Sequence, residues 1–325
     1  MSTLNAFCAS MLFISTTMVT SGPFAQDYPT RAITFVVAFP AGGNADLRAR
    51  MLGVPISKML GKPVVVDNKP GAAGNIGHAA VARAQPDGYT VGIAAMGPMS
   101  VNPSLYASSL GFDPKDLVPV VLVERAPLVL VTRADKPYKT LADFISAAKA
   151  NPGGIAVGNA GSGGAHHLSA KALEKAAVIS VLSVPYKGGG PASLALLTGE
   201  IEGMFEQTYA ALPSIQAGKT RALAVTSAQR LPSLPNVPTM AELGFPQITI
   251  SNWVGVVVPN GTPKAIIATL NESFNKALAM PEIRDQIVTP GNEIGGGTPE
   301  AFGELIASDS KRWAALVKDA AIKVD

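Results

Sequence analysis

Histidine is scarce in this chain of 325 residues, and two of its three copies stand side by side as His166-His167. Neighbours on a helix point about 100° apart. The pair therefore lacks the i, i+4 spacing of a helical metal site, and the third histidine, His78, is remote in sequence. A catalytic base stays open in principle. Gly161-Ser-Gly163, however, is no nucleophile elbow, because Gly-x-Ser-x-Gly would need glycine at Ala160. One histidine near a helix start reads better as a packing or ligand-contact residue. Leu212 to Thr220 looks like the tail of a phosphate loop, but Pro213 stands where the first glycine belongs and removes a backbone donor. A helix end at Gly218 accounts for it better. Gly71, Gly74 and Gly77 have the wrong spacing for a dinucleotide loop, and tight turning explains them. Arg48 and Arg50 follow another glycine loop. Either could fork onto a carboxylate, although a solvated helix face is the ordinary fate of such side chains. No pattern compels catalysis, and none implies a cofactor or a metal.

The bulk composition points the same way. Apolar residues are 47% of the chain and charged ones 15%, which excludes a disordered polyelectrolyte. Net charge is +3 and the cations are spread thinly, so no basic patch for nucleic acid forms. Residues Met1 to Ala25 hold no Asp, Glu, Lys or Arg, and an apolar stretch surrounds Met11 to Ile14. It is too short to span a bilayer and suits a secretory signal cleaved after Ala25. The one cysteine, Cys8, lies within that leader, so the mature chain would hold no disulfide. A soluble, exported protein is expected.

The elements that must position any site alternate. β-rich runs are expected at Ile33 to Val37, Pro63 to Asp67 and Tyr89 to Ala95, each followed by a glycine-rich loop and a helical stretch. Val118 to Thr132 reads as two β-rich stretches parted by Glu124-Arg125, a first crossing between lobes. Further strands are expected at Gly154 to Gly158, Val181 to Pro185, Ile201 to Glu206 and Ala222 to Thr226. Trp253 to Pro259 reads as a second crossing. Thr140 and Thr298 are expected helix caps, with Pro299 the first helical residue behind the latter. In open α/β sheets ligands bind at the carboxyl ends of strands, where helix starts offer free N–H groups. This is an architecture for binding.

Val64 to Gly77, Pro86-Asp-Gly-Tyr-Thr90, Asn102-Pro-Ser-Leu-Tyr106, Val184-Pro-Tyr-Lys-Gly188, Gly218 to Ser227 and Pro235-Asn-Val-Pro-Thr239 occur in a telling order. Together they resemble the receptor of tripartite tricarboxylate transporters, the family that includes the Bug proteins. The resemblance runs from Tyr28 to Lys323. It implies an α/β fold of type II periplasmic-binding form, with two lobes, two crossing strands and hinge closure. The lobes would be residues 26–125 with 252–325, and residues 126–251. It also implies no cofactor, a membrane permease as transient partner, a periplasmic location and a monomer. The ligand would be a small carboxylate (an organic acid, an aromatic acid or an acidic amino acid) held mainly by backbone amides, hydroxyls and water.

Carried onto this sequence, the first-lobe contacts are Phe39, Ala41, Gly42, Gly43, Asn44 and Ala45, with Asp46 expected to cap its helix, and then Met96 and Ser100. The second lobe would supply Asn159, Ala160, Ser162, Gly163 and His166, then Tyr186, Lys187, Gly188 and Gly189, and finally Glu206. This sequence departs from the family pattern at four places. Ala41 replaces a proline, Asn44 a hydroxyl residue and Gly164 a frequent serine, and Glu206 stands where a shorter Asp is common. Asn44 and Glu206 are therefore expected to tune selectivity. A sensory protein signalling to a membrane kinase, or an enzyme on the same scaffold, are the competing readings.

Overall fold

The computed structural model describes residues 28–161, 163–186, 188–320 and 322. The leader assigned to residues 1–25, Ser162 and Lys187 thus lie outside the described residues. The chain begins β1 (Ile33–Val37), α1 (Asn44–Leu60), β2 (Val64–Asn68), α2 (Asn75–Ala82) and β3 (Thr90–Ala95). β1 lies between β2 and β3, all parallel, as β-α-β connections require. A single π-type turn, Gly97–Val101, leads into the short α3 (Asn102–Leu105). Then comes β4 (Leu117–Arg133), a strand of 17 residues that belongs to both lobes.

The second lobe continues with α4 (Leu141–Ala150), β5 (Ala156–Asn159), α5 (Ala165–Ala177), β6 (Leu182–Pro185) and α6 (Gly189–Thr198). β7 (Gly203–Gln207), α7 (Thr208–Gln216) and β8 (Thr220–Val225) complete it. The chain then returns through β9 (Ser251–Pro259), α8 (Lys264–Ala279), α9 (Pro281–Val288), β10 (Glu293–Gly296) and α10 (Pro299–Asp319).

Up to Pro127, β4 pairs antiparallel with β9, and around Glu124 with β10 on its other side. From Leu128 onward it pairs antiparallel with β7 and β8. β9 in turn runs antiparallel beside β3. Two mixed sheets therefore share one strand, and the strand order β2-β1-β3-β9-β4-β7-β5-β6 spans both. The return crossing lies just before β9. The Ile250 N–H donates to the carbonyl of Thr226 at 3.0 Å, and the Thr226 N–H donates to that of Leu128 at 2.8 Å. The Thr226 hydroxyl also accepts from the Leu128 N–H at 2.8 Å and reaches the carbonyl of Ile250. One buried threonine thus ties both crossings together.

Both faces of the first sheet are covered, so its strands are apolar on both sides. Phe35, Val254, Val256 and Val258 face α1, α8 and α9, while Val36, Ala94, Trp253 and Val257 face the opposite core with α10. α10 packs close because Gly255 has no side chain. A Cβ there would lie 2.2 Å from the Phe302 ring. Trp253 meets Phe302 edge-on at 5.2 Å and donates its indole N–H to Asp309 at 2.7 Å. The second sheet buries Phe144, Leu168 and Phe205 against α4 and α5, and Val129, Met204 and Leu196 on the side of α6 and α7.

Several local expectations meet this structure directly. Thr140 caps α4 in a full capping box with Asp143, and the Thr298 hydroxyl accepts from the Ala301 N–H at 3.2 Å. Gly218 takes φ +66° just past α7. The expected break at Glu124-Arg125 is corrected. Glu124 stays within the strand opposite Val254, because its charge is met by side chains that sequence neighbours do not reveal.

Candidate functional site

β1, β3, β5 and β7 all end toward the gap between the lobes. Each hands over to a loop or helix start there. α1 starts at Gly43, α5 at Gly164 and α6 at Gly188, and none of the three has a side-chain cap. Their first-turn N–H groups are therefore left for something else to satisfy. Between the lobes lies a cleft of about 850 Å³. Its first-lobe wall is Phe39, Ala73, Ala95 to Pro98, Asn102 and Tyr106; its second-lobe wall is Ala160, Gly161, Gly163 to His166 and Pro185, with Asn252 at the crossing. A second cavity of about 830 Å³, bordered by Tyr28, Arg31, Asp87, Tyr89 and Ile266, lies at the opposite ends of the first-lobe strands. It receives no residue from the second lobe and no strand carboxyl end of the parallel set.

Of the residues expected to bind, the cleft gathers Phe39, Met96, Ala160, Gly163 and His166. His166 is partly exposed, and burial pushes its pKa down to about 4, so it is a neutral imidazole at neutral pH. Ala41, Gly42 and Gly43 form an exposed loop, whereas Ala45 packs in the core. The Asn44 amide donates to Glu124 at 2.7 Å, which leaves its second N–H and its oxygen for another partner. Asp46 does not cap α1; Gly43 holds that position. From the first turn it accepts from the Gly42 N–H at 2.8 Å and from Arg50 and Asn68 at 2.9 Å, fixing the loop shape. Those bonds, that of Arg50 foremost, hold its pKa near 2.

Ser100 turns away from the cleft and donates to the carbonyl of Ile306 at 3.2 Å. Asn159 braces the α5 loop from behind, accepting from the Gly161 N–H and donating to Ser183, both at 3.0 Å. The Tyr186 hydroxyl bonds Glu200 at 2.8 Å. Gly188 and Gly189 begin α6, and buried Glu206 contacts Ser193 one turn along it. Burial raises the Glu206 carboxyl above its ordinary range.

The expected solvated helix face holds for Arg50, whose side chain is 52% exposed, but not for Arg48. Arg48 is buried and donates from Nε to Glu124 at 2.8 Å, where Asn292 adds a further bond at 2.9 Å. Arg50 is tied to Asp46. Among the described residues no charged side chain lines the cleft. Sequence reasoning missed Ala73, Asn102, Tyr106, Pro185 and Asn252. Asn102 and Tyr106 bracket a segment that carried the resemblance, so the signal was present there; Asn252 had only its place beside the crossing.

The cleft is thus lined by the glycine-rich start of α5, whose free backbone N–H groups can accept an anion. The family model for the tripartite tricarboxylate transporter family receptor, TctC, matches residues 48–322. The chain belongs to this family. The receptor is 37% identical to the protein BugT of Bordetella pertussis over 314 residues, 96% of each chain. A solved protein of R. palustris holding adipate is 34% identical to it, with a TM-score of 0.81 over 91% of this chain and 99% of that one. MatC of Rhodopseudomonas palustris with bound malate is 31% identical, with a TM-score of 0.77 over 89% of this chain and 100% of that one. The receptor is thus a solute-binding protein and not an enzyme. Among the described residues no helix is long and apolar enough to cross a membrane.

Proposed function

We propose that this receptor captures a small carboxylate between its lobes in the periplasm and delivers it to the permease of a tripartite transporter. The observation that carries the reading is the cleft itself, walled by both lobes at the strand carboxyl ends and lined by no charged side chain among the described residues. A carboxylate there is held by aligned N–H groups, which supply positive potential without a buried cation to desolvate. The relatives solved with adipate and with malate support a carboxylate as ligand. The lobes, residues 26–125 with 252–325 and residues 126–251, close about the two crossings and exclude water, so that ligand favours the closed form. The mature receptor begins after a leader cleaved at Ala25 and acts as a monomer.

Thermal denaturation against a panel of mono-, di- and tricarboxylates, amino acids and neutral solutes tests this. At a hundredfold over its dissociation constant a ligand stabilises by about 2.7 kcal/mol, a clear rise in Tm. Stabilisation confined to carboxylates is expected. Stabilisation by neutral or cationic solutes alone overturns the ligand class.

A further inference from the structure

The two walls of the cleft differ in kind. The second-lobe wall is mostly backbone: Gly161, Gly163 and Gly164 run into the uncapped start of α5, and among the described residues His166 is its one polar side chain. Opposite it, the first-lobe wall presents the rings of Phe39, Pro98 and Tyr106, with the Met96 side chain fully buried behind them. That wall is preformed. Gly74, at φ +91°, leaves room for Pro98 and Phe39 to close over it, 2.8 and 3.1 Å from where a Cβ would stand. The one amide within the wall is already spent, since Asn102 donates to Asn75 at 2.7 Å and to the carbonyl of Ala73 at 3.2 Å. Asn252, at the crossing, keeps a side-chain amide with no partner among the described residues, and it can meet one neutral polar substituent.

A second carboxylate pressed against this wall would lose its water and, among the described residues, gain no cation and only the Tyr106 hydroxyl as a side-chain donor. An apolar body would gain from the same burial. On the reading that the cleft binds carboxylates, we infer that this receptor selects ligands with a single carboxylate and an uncharged apolar body. The carboxylate faces the start of α5, and the body, an alkyl chain or an aromatic ring, lies on Phe39, Pro98 and Tyr106. These three wall residues act together as the selectivity element, and Asn252 reads a neutral substituent such as a hydroxyl or amide.

Calorimetric titration of the purified receptor with matched pairs tests this: hexanoate against adipate, and benzoate against terephthalate. The monocarboxylate of at least one pair is expected to bind tenfold or more tightly than its partner. Tyr106→Arg, which places a cation on the wall, is expected to strengthen adipate by roughly tenfold and weaken hexanoate, its unliganded Tm confirming the fold. Equal affinities, or dicarboxylates preferred by the unmodified receptor, overturn the selectivity inference and leave carboxylate capture standing. Failure of every carboxylate to bind, beside a neutral solute that does, overturns both.

Discussion

Glu124 is fully buried and accepts from Arg48, Asn44 and Asn292, so one carboxylate holds α1, β4 and the approach to β10 together. Removing it as Glu124→Ala leaves the Arg48 guanidinium buried without its partner. That change is expected to cost about 3–5 kcal/mol in chemical denaturation, whereas Arg48→Met with Glu124→Leu recovers most of the loss. Sequence could not show this pair, because its members are 76 positions apart and each alone resembles a surface charge. His78 gives a second prediction. It is buried, donates from Nδ1 to the carbonyl of Gly74 at 2.8 Å, and burial pushes its pKa down to about 4. The unfolded chain binds that proton near pH 6.5 and the folded one does not, so the neutral ring's contribution is complete above 6.5. Stability falls as pH drops from 6.5 toward 4, with His166 acting in the same direction. Urea midpoints between pH 4.5 and 7.5 should show that slope, and His78→Gln should flatten it.

At the scale of elements, the helix-on-strand contacts depend on missing side chains. Gly255→Ala would press a methyl group into the Phe302 ring and within 2.8 Å of the Val121 carbonyl. The expected cost is about 1–3 kcal/mol, read as a lowered Tm, with α10 displaced from β9. Thr226→Val removes the hydroxyl that joins Leu128 to Ile250 and leaves those groups one partner short. A loss of about 1–3 kcal/mol is expected from denaturant titration. Most elements were legible: the apolar runs of β1 and β9 and the caps at Thr140 and Thr298 are local signals. β4 was not read as one strand, since a charged pair in an apolar run looks like a boundary until its distant partners are known. The π-type turn at Gly97–Val101 and the four-residue β10 carry almost no pattern of their own.

At the scale of the molecule, glycine loops after strands pointed to the right edge of both sheets but not to the wall facing them. The loops could be found because strand, turn and helix start lie together in sequence. Tyr106 and Asn252 could not, because only the packing of two lobes about shared strand β4 brings them to one cleft. Ligand is expected to bind in this cleft. The most direct measurement is a calorimetric titration of the best-stabilising carboxylate into the unmodified receptor and into Ala160→Trp, whose indole would obstruct the second-lobe wall of the cleft. One-to-one binding that disappears in the variant, with the unliganded Tm preserved, is the predicted result. Undiminished binding to the variant would contradict the account and send the ligand elsewhere, with the cavity beside Tyr28 and Asp87 the first place to look.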